Sequence, residues 1–322
     1  MAAEPMGLLR VVAAVRFHVA QMRHAGHAVG APPVVLNRNL SPVRHAVVGS
    51  AAALVIIALR FFLEKIFFPS VFAAHKPLKR KKLCENVFYT IFYVLSASAG
   101  LAVIAIERLP MGFLFSNNPM WPLWRDLDKG VPMSRAFQTY YLVELGFYVG
   151  CLTFLFLIDT RRSDFRQYVI HHCATLALVL GSWLLGYTRF GAYIIALHDV
   201  SDIFLYGAKC VHYLGWRGYD TALFVVFAIT FYVTRLYMLP RIIYGIFIEP
   251  WKILSDQADF NNWLSNWTVY IPHWLGMLFA LATLQILHCY WYALVVRIIA
   301  KELRGIKLSD TGDDRSDDED DN

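Results

Sequence analysis

Five ionisable side chains lie inside two neighbouring apolar segments of this 322-residue sequence: His171, His172, His198, Asp199 and Asp202. A charged group at the centre of a bilayer costs about 2.5–3.5 kcal/mol, so such groups are rare and mark reaction centres or ion paths. These five residues are therefore the candidate site for chemistry.

Helical spacing predicts which of them act together. His198 and Asp202 are one helical turn apart, and Asp199 lies three residues before Asp202, so we expect all three to share one face and line a cavity. The carboxylates of Asp199 and Asp202 would then face the same space as the imidazole of His198.

The preceding segment carries a similar face. His171 and Thr175 are one turn apart, and Tyr168 lies one turn before the His171–His172 pair. If the two helices pack side by side, we expect imidazole groups from both to converge with the carboxylates.

Three roles could use these residues. A lone buried histidine is commonly a hydrogen-bonded packing residue, but packing alone does not explain several ionisable groups together. A metal site is a second possibility because His and Asp are ligands, although membrane di-iron enzymes need more histidines in repeated HxxxH and HxxHH boxes. The third is metal-free catalysis, in which an imidazole acts as base or nucleophile and a carboxylate fixes its tautomer. Acyl transfer fits these groups, and the sequence contains no G-x-S-x-G, P-loop or dinucleotide motif.

Composition places the site in a membrane. Hydrophobic residues make up 57% of the sequence, aromatic residues 15%, and mean hydropathy is +0.46, which exceeds what soluble domains usually carry. We predict an all-α polytopic membrane protein with about seven transmembrane helices, near residues 46–68, 86–106, 137–158, 168–186, 190–209, 221–244 and 270–299. Residues 186–189 alone separate the fourth and fifth segments, so a re-entrant hairpin remains an alternative there.

Basic residues predict the orientation. They concentrate on alternate connections, including Lys76–Lys82, which places these loops and the C-terminus in the cytosol and the segment 1–45 on the exoplasmic side. The acidic residues 308–322 are expected to form a disordered cytosolic tail. The five cysteines form no CxxC pair and suggest no disulfide framework.

Other polar residues have structural explanations. Arg60 and Glu64 are one turn apart and should form an ion pair, and Glu144 could pair with Arg235 between helices. The aromatic-rich segment 246–270 is interpreted as a loop at the membrane interface.

A known family carries a similar pattern. Its residues here are Phe165–Thr175 with the His171–His172 pair, then Ser182, Arg189, Gly191, Leu197–Leu205 with His198, Asp199 and Asp202, and Lys209. This pattern resembles the Lag1 motif of ceramide synthases, at about 164–209, within a TLC domain at 76–307. One residue departs from the pattern, since the family usually has Asn where this chain has Gly186. We expect that difference to affect the backbone conformation of a turn and not catalysis.

The resemblance implies a six-helix TLC core plus an N-terminal helix, 46–68, in the endoplasmic reticulum membrane. The implied reaction transfers a fatty acyl group from acyl-CoA to the amine of a sphingoid base, giving (dihydro)ceramide and CoA. Residues 69–84 fill the connection in which some animal members carry a homeobox-like domain, so the chain resembles the homeobox-lacking type.

The resemblance also implies roles for residues. The catalytic set is His171, His172, His198, Asp199 and Asp202, and the expected substrate-binding residues are Tyr168, Thr175, Ser201, Arg189 and Lys209. No cofactor or metal is expected, since acyl-CoA is a co-substrate. Nucleic acid is not expected as a partner. The resemblance allows a homo- or heterodimer in a lipid membrane. The alternative function is that of a non-catalytic TLC-domain protein that binds, senses or transports lipids.

Overall fold

The computed structural model of the protein describes residues 42–116, 120, 123, 133–157, 159, 164–216, 218–255 and 260–304. Within these residues there is no β-strand, and seven long helices account for most of the chain. They are α1 (Pro42–Phe62, continuing through Leu63–Phe67 and Phe68–Val71), α2 (Pro77–Ile106), α3 (Arg135–Leu157), α4 (Phe165–Leu185), α5 (Thr188–Leu214), α6 (Tyr219–Phe231, Tyr232–Met238 and Leu239–Ser255) and α7 (Phe260–Leu303). Residues 1–41 of the predicted N-terminal segment 1–45 and the whole predicted tail 308–322 lie outside the described residues, whereas residues 42–45 already belong to helix α1.

Six of these helices are long and apolar enough to cross a membrane, namely all except α5. At 1.5 Å per residue, the 27 residues of α5 span about 40 Å, more than a bilayer core of about 30 Å. Its polar side chains lower its hydropathy, but it packs at the centre of the bundle, chiefly against α2 and α6. The chain is thus an all-α polytopic membrane protein, as predicted.

The α4–α5 connection is a tight turn between two helices of 21 and 27 residues. Gly186 adopts a left-handed conformation, with φ +82° and ψ +5°, at the C-terminus of α4. Gly and Asn are the two residues that most readily adopt this conformation at helix ends. The replacement of the family's Asn by Gly186 therefore fits the backbone of this turn.

The N-terminal helix packs closely against α3. A Cβ atom at Gly146 would lie 2.8 Å from the backbone nitrogen of Ala53 and 2.9 Å from Cβ of Ala52. Small residues allow membrane helices to approach closely in this way. The α1–α2 connection is short, since α1 ends at Val71 and α2 begins at Pro77.

The helix α6 changes its winding in the middle. Residues Tyr232–Met238 form a π-helical segment between two α-helical parts. Pro240 lies two residues after this segment and has no N–H to donate to the carbonyl group of Leu236, which favours a local change of winding. The widened segment carries Arg235, which faces the interior.

The segment 246–270 is not a loop as predicted. Helix α6 continues to Ser255, and α7 already begins at Phe260. Interfacial residues lower hydropathy without interrupting helical hydrogen bonds, so the hydropathy minimum in this segment does not mark a loop.

Candidate functional site

A cavity runs through the bundle formed by α2–α7. Its envelope holds about 1690 Å³ of space not filled by protein atoms, which includes space open to the outside. Helix α4 lines it on successive turns from Phe165 to Ser182, a distance of about 26 Å at 1.5 Å per residue. The cavity therefore extends over most of the thickness of a membrane core, about 30 Å.

The predicted histidines converge on the middle of this cavity. His171 and His172 from α4 line it together with His198 from α5, and the rings of His171 and His172 are 5.5 Å apart. His172 Nδ1 lies 2.8 Å from the carbonyl oxygen of Tyr168, so Nδ1 donates and Nε2 is left as the acceptor. Among the described residues, Nδ1 of His171 is buried and has no hydrogen-bond partner.

Asp202 also faces the cavity, and it is held by an arginine. Arg235 Nη2 donates to Asp202 Oδ1 at 2.6 Å and to the carbonyl oxygen of His198 at 3.1 Å. Both Arg235 and Asp202 line the cavity. The predicted Arg235–Glu144 pair is therefore wrong, because the π-helical segment of α6 faces α5.

Asp199 faces away from the cavity. It is fully buried and does not line the cavity; Ser96 Oγ of α2 donates to its Oδ2 at 2.5 Å. The same hydroxyl also hydrogen-bonds to Glu144 of α3. Successive residues of a helix are rotated by about 100°, so Asp199 turns toward α2 and α3 while its neighbour His198 turns to the cavity. The prediction that Asp199 lines the cavity with His198 and Asp202 is wrong.

Two of the predicted substrate-binding residues line the cavity. The Tyr168 ring stacks on His172, with centroids 6.0 Å apart, and packs against Trp291 at 5.3 Å. Thr175 is buried beside them, and its hydroxyl has no hydrogen-bond partner among the described residues. Tyr168 and Thr175 therefore lie on either side of the histidine pair along α4.

The other three lie outside the cavity lining. Ser201 is fully buried and donates to the carbonyl oxygen of His198 at 2.9 Å. Arg189 lies in the first turn of α5, and Lys209 lies near its end with Nζ 5.9 Å from the Tyr206 ring. Ser201 thus contacts the backbone of His198, but none of these three side chains lines the cavity with the imidazoles.

His288 is a residue of the site that sequence reasoning missed. It lies on α7, is fully buried, and its Nε2 is 3.2 Å from Nε2 of His198. Its ring centroid is 6.1 Å from that of His171. The signal available was a single histidine within the apolar sequence of the last helix, where a polar group is costly.

The comparisons with known proteins identify the family. A family profile described as a TLC domain matches residues 82–297. Ceramide synthase LOH1 of Arabidopsis thaliana is 31% identical over 251 residues, which cover 75% of this chain and 76% of that protein. The chain belongs to the ceramide synthase family of TLC-domain proteins. The TLC match contains every residue that lines the cavity and leaves out helix α1.

Animal ceramide synthases are similar as well. Human ceramide synthase 5 is 34% identical over 246 residues, covering 75% of this chain and 56% of the relative. Bovine ceramide synthase 4 is 31% identical over 225 residues, covering 70% and 51%. The chain thus spans about half the length of these animal relatives.

One end of the TLC-domain cavity is built around a tyrosine. Tyr141 and Ser182 both line it, and their hydroxyl oxygens are 2.5 Å apart. Gly191 of α5 lies directly against them, and a Cβ atom there would overlap the Tyr141 hydroxyl. The absence of a side chain at Gly191 therefore allows the Tyr141–Ser182 contact to form.

The opposite end of the TLC-domain cavity contains charged groups. Glu85 and Asp159 line it, and Asp159 forms an ion pair with Arg60 of α1. Arg60 also donates to Glu64 at 2.6 Å and to Tyr89 at 2.8 Å. The predicted Arg60–Glu64 pair is confirmed, and Asp159 and Tyr89 extend it into a network that connects α1 to the cavity.

Proposed function

We propose that this protein is a sphingoid-base N-acyltransferase, which transfers a fatty acyl group from acyl-CoA to the amine of a sphingoid base and gives (dihydro)ceramide and CoA. The observation that carries the proposal is the convergence of His171, His172 and His198 with Asp202 in the middle of a long, largely apolar cavity. The kinship with ceramide synthases supports the same reaction. No observation favours the lipid-carrier alternative.

The dimensions of the cavity suit a long acyl chain. From His171 to Ser182, helix α4 rises about 16 Å, close to half of a bilayer core of about 30 Å. Half a bilayer is the depth that one lipid acyl chain fills. The acyl chain therefore occupies the part of the cavity between His171 and Tyr141, and the thioester lies beside the histidines.

Coenzyme A lies at the Phe165 end. The side chains of Lys76, Lys79, Lys81 and Arg166 are exposed near the ends of α2 and α4 that form this side of the bundle. Their positive charges attract the CoA phosphates. By the positive-inside rule, the same charges support a cytosolic location for this side and for the C-terminus. The proposed membrane is that of the endoplasmic reticulum, as the family resemblance implies.

The reaction requires a base. The overall change converts R–NH₃⁺ and the thioester into an amide, a CoA thiol and one proton. His171, whose Nδ1 is buried without a partner, takes either the amine proton or the acyl group. Asp202 compensates the positive charge that develops on the imidazoles. The reaction uses no metal or redox cofactor, which is tested by measuring turnover after treatment with a chelator.

The test is acyl transfer by purified protein in lipid nanodiscs, supplied with sphinganine and acyl-CoAs of different length. We expect the wild type to form N-acyl sphinganine and His171→Ala to lose this activity. The matched control is His212→Ala, since His212 lies at the end of α5, outside the cavity lining, paired with Asp220 at 3.3 Å. It should retain turnover.

Incubation with acyl-CoA alone distinguishes the two roles of His171. An acyl adduct on this residue, detected by mass spectrometry, identifies a nucleophile, whereas turnover without an adduct identifies a base. A folded wild type that binds acyl-CoA but forms no product with any chain length would contradict the proposed function and favour a lipid carrier.

A further inference from the structure

The hydroxyl of Thr175 differs from those of five other threonines in the bundle. A threonine inside a helix commonly donates its hydroxyl to the carbonyl group three or four residues earlier. Five threonines donate to the carbonyl group four residues earlier, namely Thr90, Thr153, Thr230, Thr234 and Thr283. Thr175 also lies inside a helix, α4, but its Oγ1 has no hydrogen-bond partner among the described residues.

An unpartnered hydroxyl is unfavourable at this position. Only 8% of Thr175 is exposed. Burying a hydroxyl group without a hydrogen bond costs free energy, and such groups are uncommon in folded proteins. Valine has nearly the same shape and would occupy the position without this cost. The hydroxyl therefore suits a partner that the described part of the chain does not supply.

Thr175 borders the part of the cavity assigned to the acyl chain. It lines the cavity one helical turn from His171, on the side of Ser182. Residues four apart on a helix have Cβ atoms about 5–6 Å apart. An oxyanion donor lies about 2.7–3.1 Å from the oxygen, and an attacking atom lies about 3–3.5 Å from the carbon. One carbonyl group therefore fits between the two side chains, with its carbon beside His171 and its oxygen beside Thr175.

Two neighbouring donors in the cavity lining are held by the protein. His172 Nδ1 donates to a carbonyl group of its own helix, and Arg235 donates through Nη2 to Asp202. Nε of Arg235, however, is buried without a partner among the described residues. Arg235 lies on α6, whereas Thr175 shares α4 with the histidine pair and keeps a fixed distance from it. An experiment must distinguish these two donors.

We propose that Thr175 is a catalytic residue that donates a hydrogen bond to the carbonyl oxygen of the acyl thioester and stabilises the oxyanion that forms on this oxygen during transfer. This inference rests on the proposed function. The hydroxyl keeps its proton throughout, so Thr175 acts as a hydrogen-bond donor and not as an acid. Hydrogen bonds to an ionised acceptor are about twice as strong as neutral ones, so this bond strengthens as negative charge develops on the oxygen.

The atoms and electrons of the transfer balance. A nitrogen of His171 or of the amine R–NH₂ forms a bond to the carbonyl carbon, and one electron pair of the C=O bond moves to the oxygen. The pair then returns to the C=O bond, and the C–S bond breaks with its electrons on sulfur. If His171 attacks first, the oxyanion forms a second time when R–NH₂ displaces the imidazole. In either case R–NH₂ loses one proton, and the CoA thiolate gains one.

The decisive variant is Thr175→Val, which removes the hydroxyl and keeps the branched shape. We expect kcat for N-acyl sphinganine formation to fall about 100- to 1,000-fold, as for the loss of one oxyanion donor. KM for acyl-CoA should change less than about tenfold, since the hydrogen bond to the uncharged thioester is weaker. Thermal stability should equal that of the wild type or exceed it, because an unpartnered buried hydroxyl is removed.

Two further variants at this position and one matched control complete the test. Thr175→Ser retains a donor and should keep most of the wild-type kcat, whereas Thr175→Ala should lose as much as Thr175→Val. Thr230 donates to the carbonyl group of Val226 and does not line the cavity, so Thr230→Val should leave kcat unchanged. If Thr175→Val keeps the wild-type kcat, or if Thr175→Ser loses as much as Thr175→Val, the proposal is wrong.

A measurement without turnover separates this proposal from the proposed function. Palmitoyl-CoA labelled with ¹³C at the thioester carbonyl is bound to His171→Ala, which should not consume it, and infrared spectroscopy measures the C=O stretching frequency. A hydrogen bond lowers this frequency, so we expect it to rise when Thr175→Val is added and not when Thr230→Val is added.

An unchanged frequency with Thr175→Val, or a rise with Arg235→Met in its place, would overturn the proposal even in a protein that makes ceramide. A rise with Thr175→Val in a protein that makes no ceramide would support the hydrogen bond and reject only the proposed function.

Discussion

The Arg235–Asp202 ion pair allows stability and chemistry to be separated in one experiment. The pair lies in the cavity wall at 2.6 Å, with side-chain exposures of 6% and 15%. Replacing Arg235 by Met keeps the length of the side chain but leaves Asp202 without its cation. An uncompensated charge at membrane depth costs about 2.5–3.5 kcal/mol, and breaking a buried pair costs about 3–5 kcal/mol. We therefore expect Arg235→Met to lower the free energy of unfolding by about 3 kcal/mol.

The double variant Arg235→Met/Asp202→Leu provides the control. Apolar replacement of both partners of a buried pair is often neutral, so its stability should return to within about 1 kcal/mol of the wild type. Ceramide formation should not return, because the carboxylate beside the histidines that balances a charged imidazole is gone. The free energies are measured by equilibrium unfolding in mixed micelles with increasing dodecyl sulfate, followed by tryptophan fluorescence.

This reasoning is refuted if the double variant loses as much free energy of unfolding as the two single variants lose in sum. If the coupling between Arg235 and Asp202 is below about 0.5 kcal/mol, the residues behave as independent sites, and the pair does not hold α5 against α6. Recovery of activity in the double variant would show that Asp202 has a structural role alone.

Three further predictions concern other groups. Tyr141→Ala should extend the cavity, so that longer acyl chains are accepted and kcat/KM rises by up to about fourfold per added methylene, at about 0.8 kcal/mol each. Leu142 does not line the cavity, so Leu142→Ala should leave the product profile unchanged. An identical product profile in both variants would contradict the assignment of Tyr141 to the end of the cavity. Arg60→Met should lower the free energy of unfolding by about 3 kcal/mol because it leaves Asp159 uncompensated, and a loss below about 0.5 kcal/mol in the same unfolding assay would show that the network is dispensable. Glu144→Gln should lower the free energy of unfolding by about 1 kcal/mol or less, since the glutamine amide can hydrogen-bond to Ser96, whereas Glu144→Ala should lower it by about 1–3 kcal/mol more. Equal decreases in the two variants would show that the hydrogen bond to Ser96 contributes nothing to stability.

Hydropathy predicted the helices well but not their ends. The predicted segment 86–106 corresponds to α2, which begins nine residues earlier at Pro77. Its first turns contain the basic residues Lys79–Lys82, which hydropathy cannot distinguish from a loop although they are helical. The prediction of a loop over 246–270 is wrong for the same reason. Hydropathy reports where a helix crosses the apolar core and does not report where the helix ends in the headgroup region.

Periodicity predicted part of the site. It correctly brought His171, His198 and Asp202 together, since each lies on a polar face of its own helix. It could not find His288, whose contact with His198 joins residues 90 positions apart in the sequence. It also assigned Arg235 to the wrong carboxylate. Spacing indicates which residues share a face, but the rotation of each helix against its neighbours depends on tertiary packing.

The two aspartates of α5 illustrate why this distinction matters for mechanism. Asp202 faces the cavity and neutralises Arg235, whereas Asp199 is fully buried against Ser96 and faces α2 and α3. Activity could be lost in variants of both residues for different reasons. At Asp202 the loss would follow from a missing charge beside the imidazoles. At Asp199 it would follow from a displaced α5, since this hydrogen bond lies in the interface between α5 and α2, and any displacement would move His198 away from His171. A loss of activity at Asp199 alone therefore does not make it a catalytic residue, because its side chain does not line the cavity.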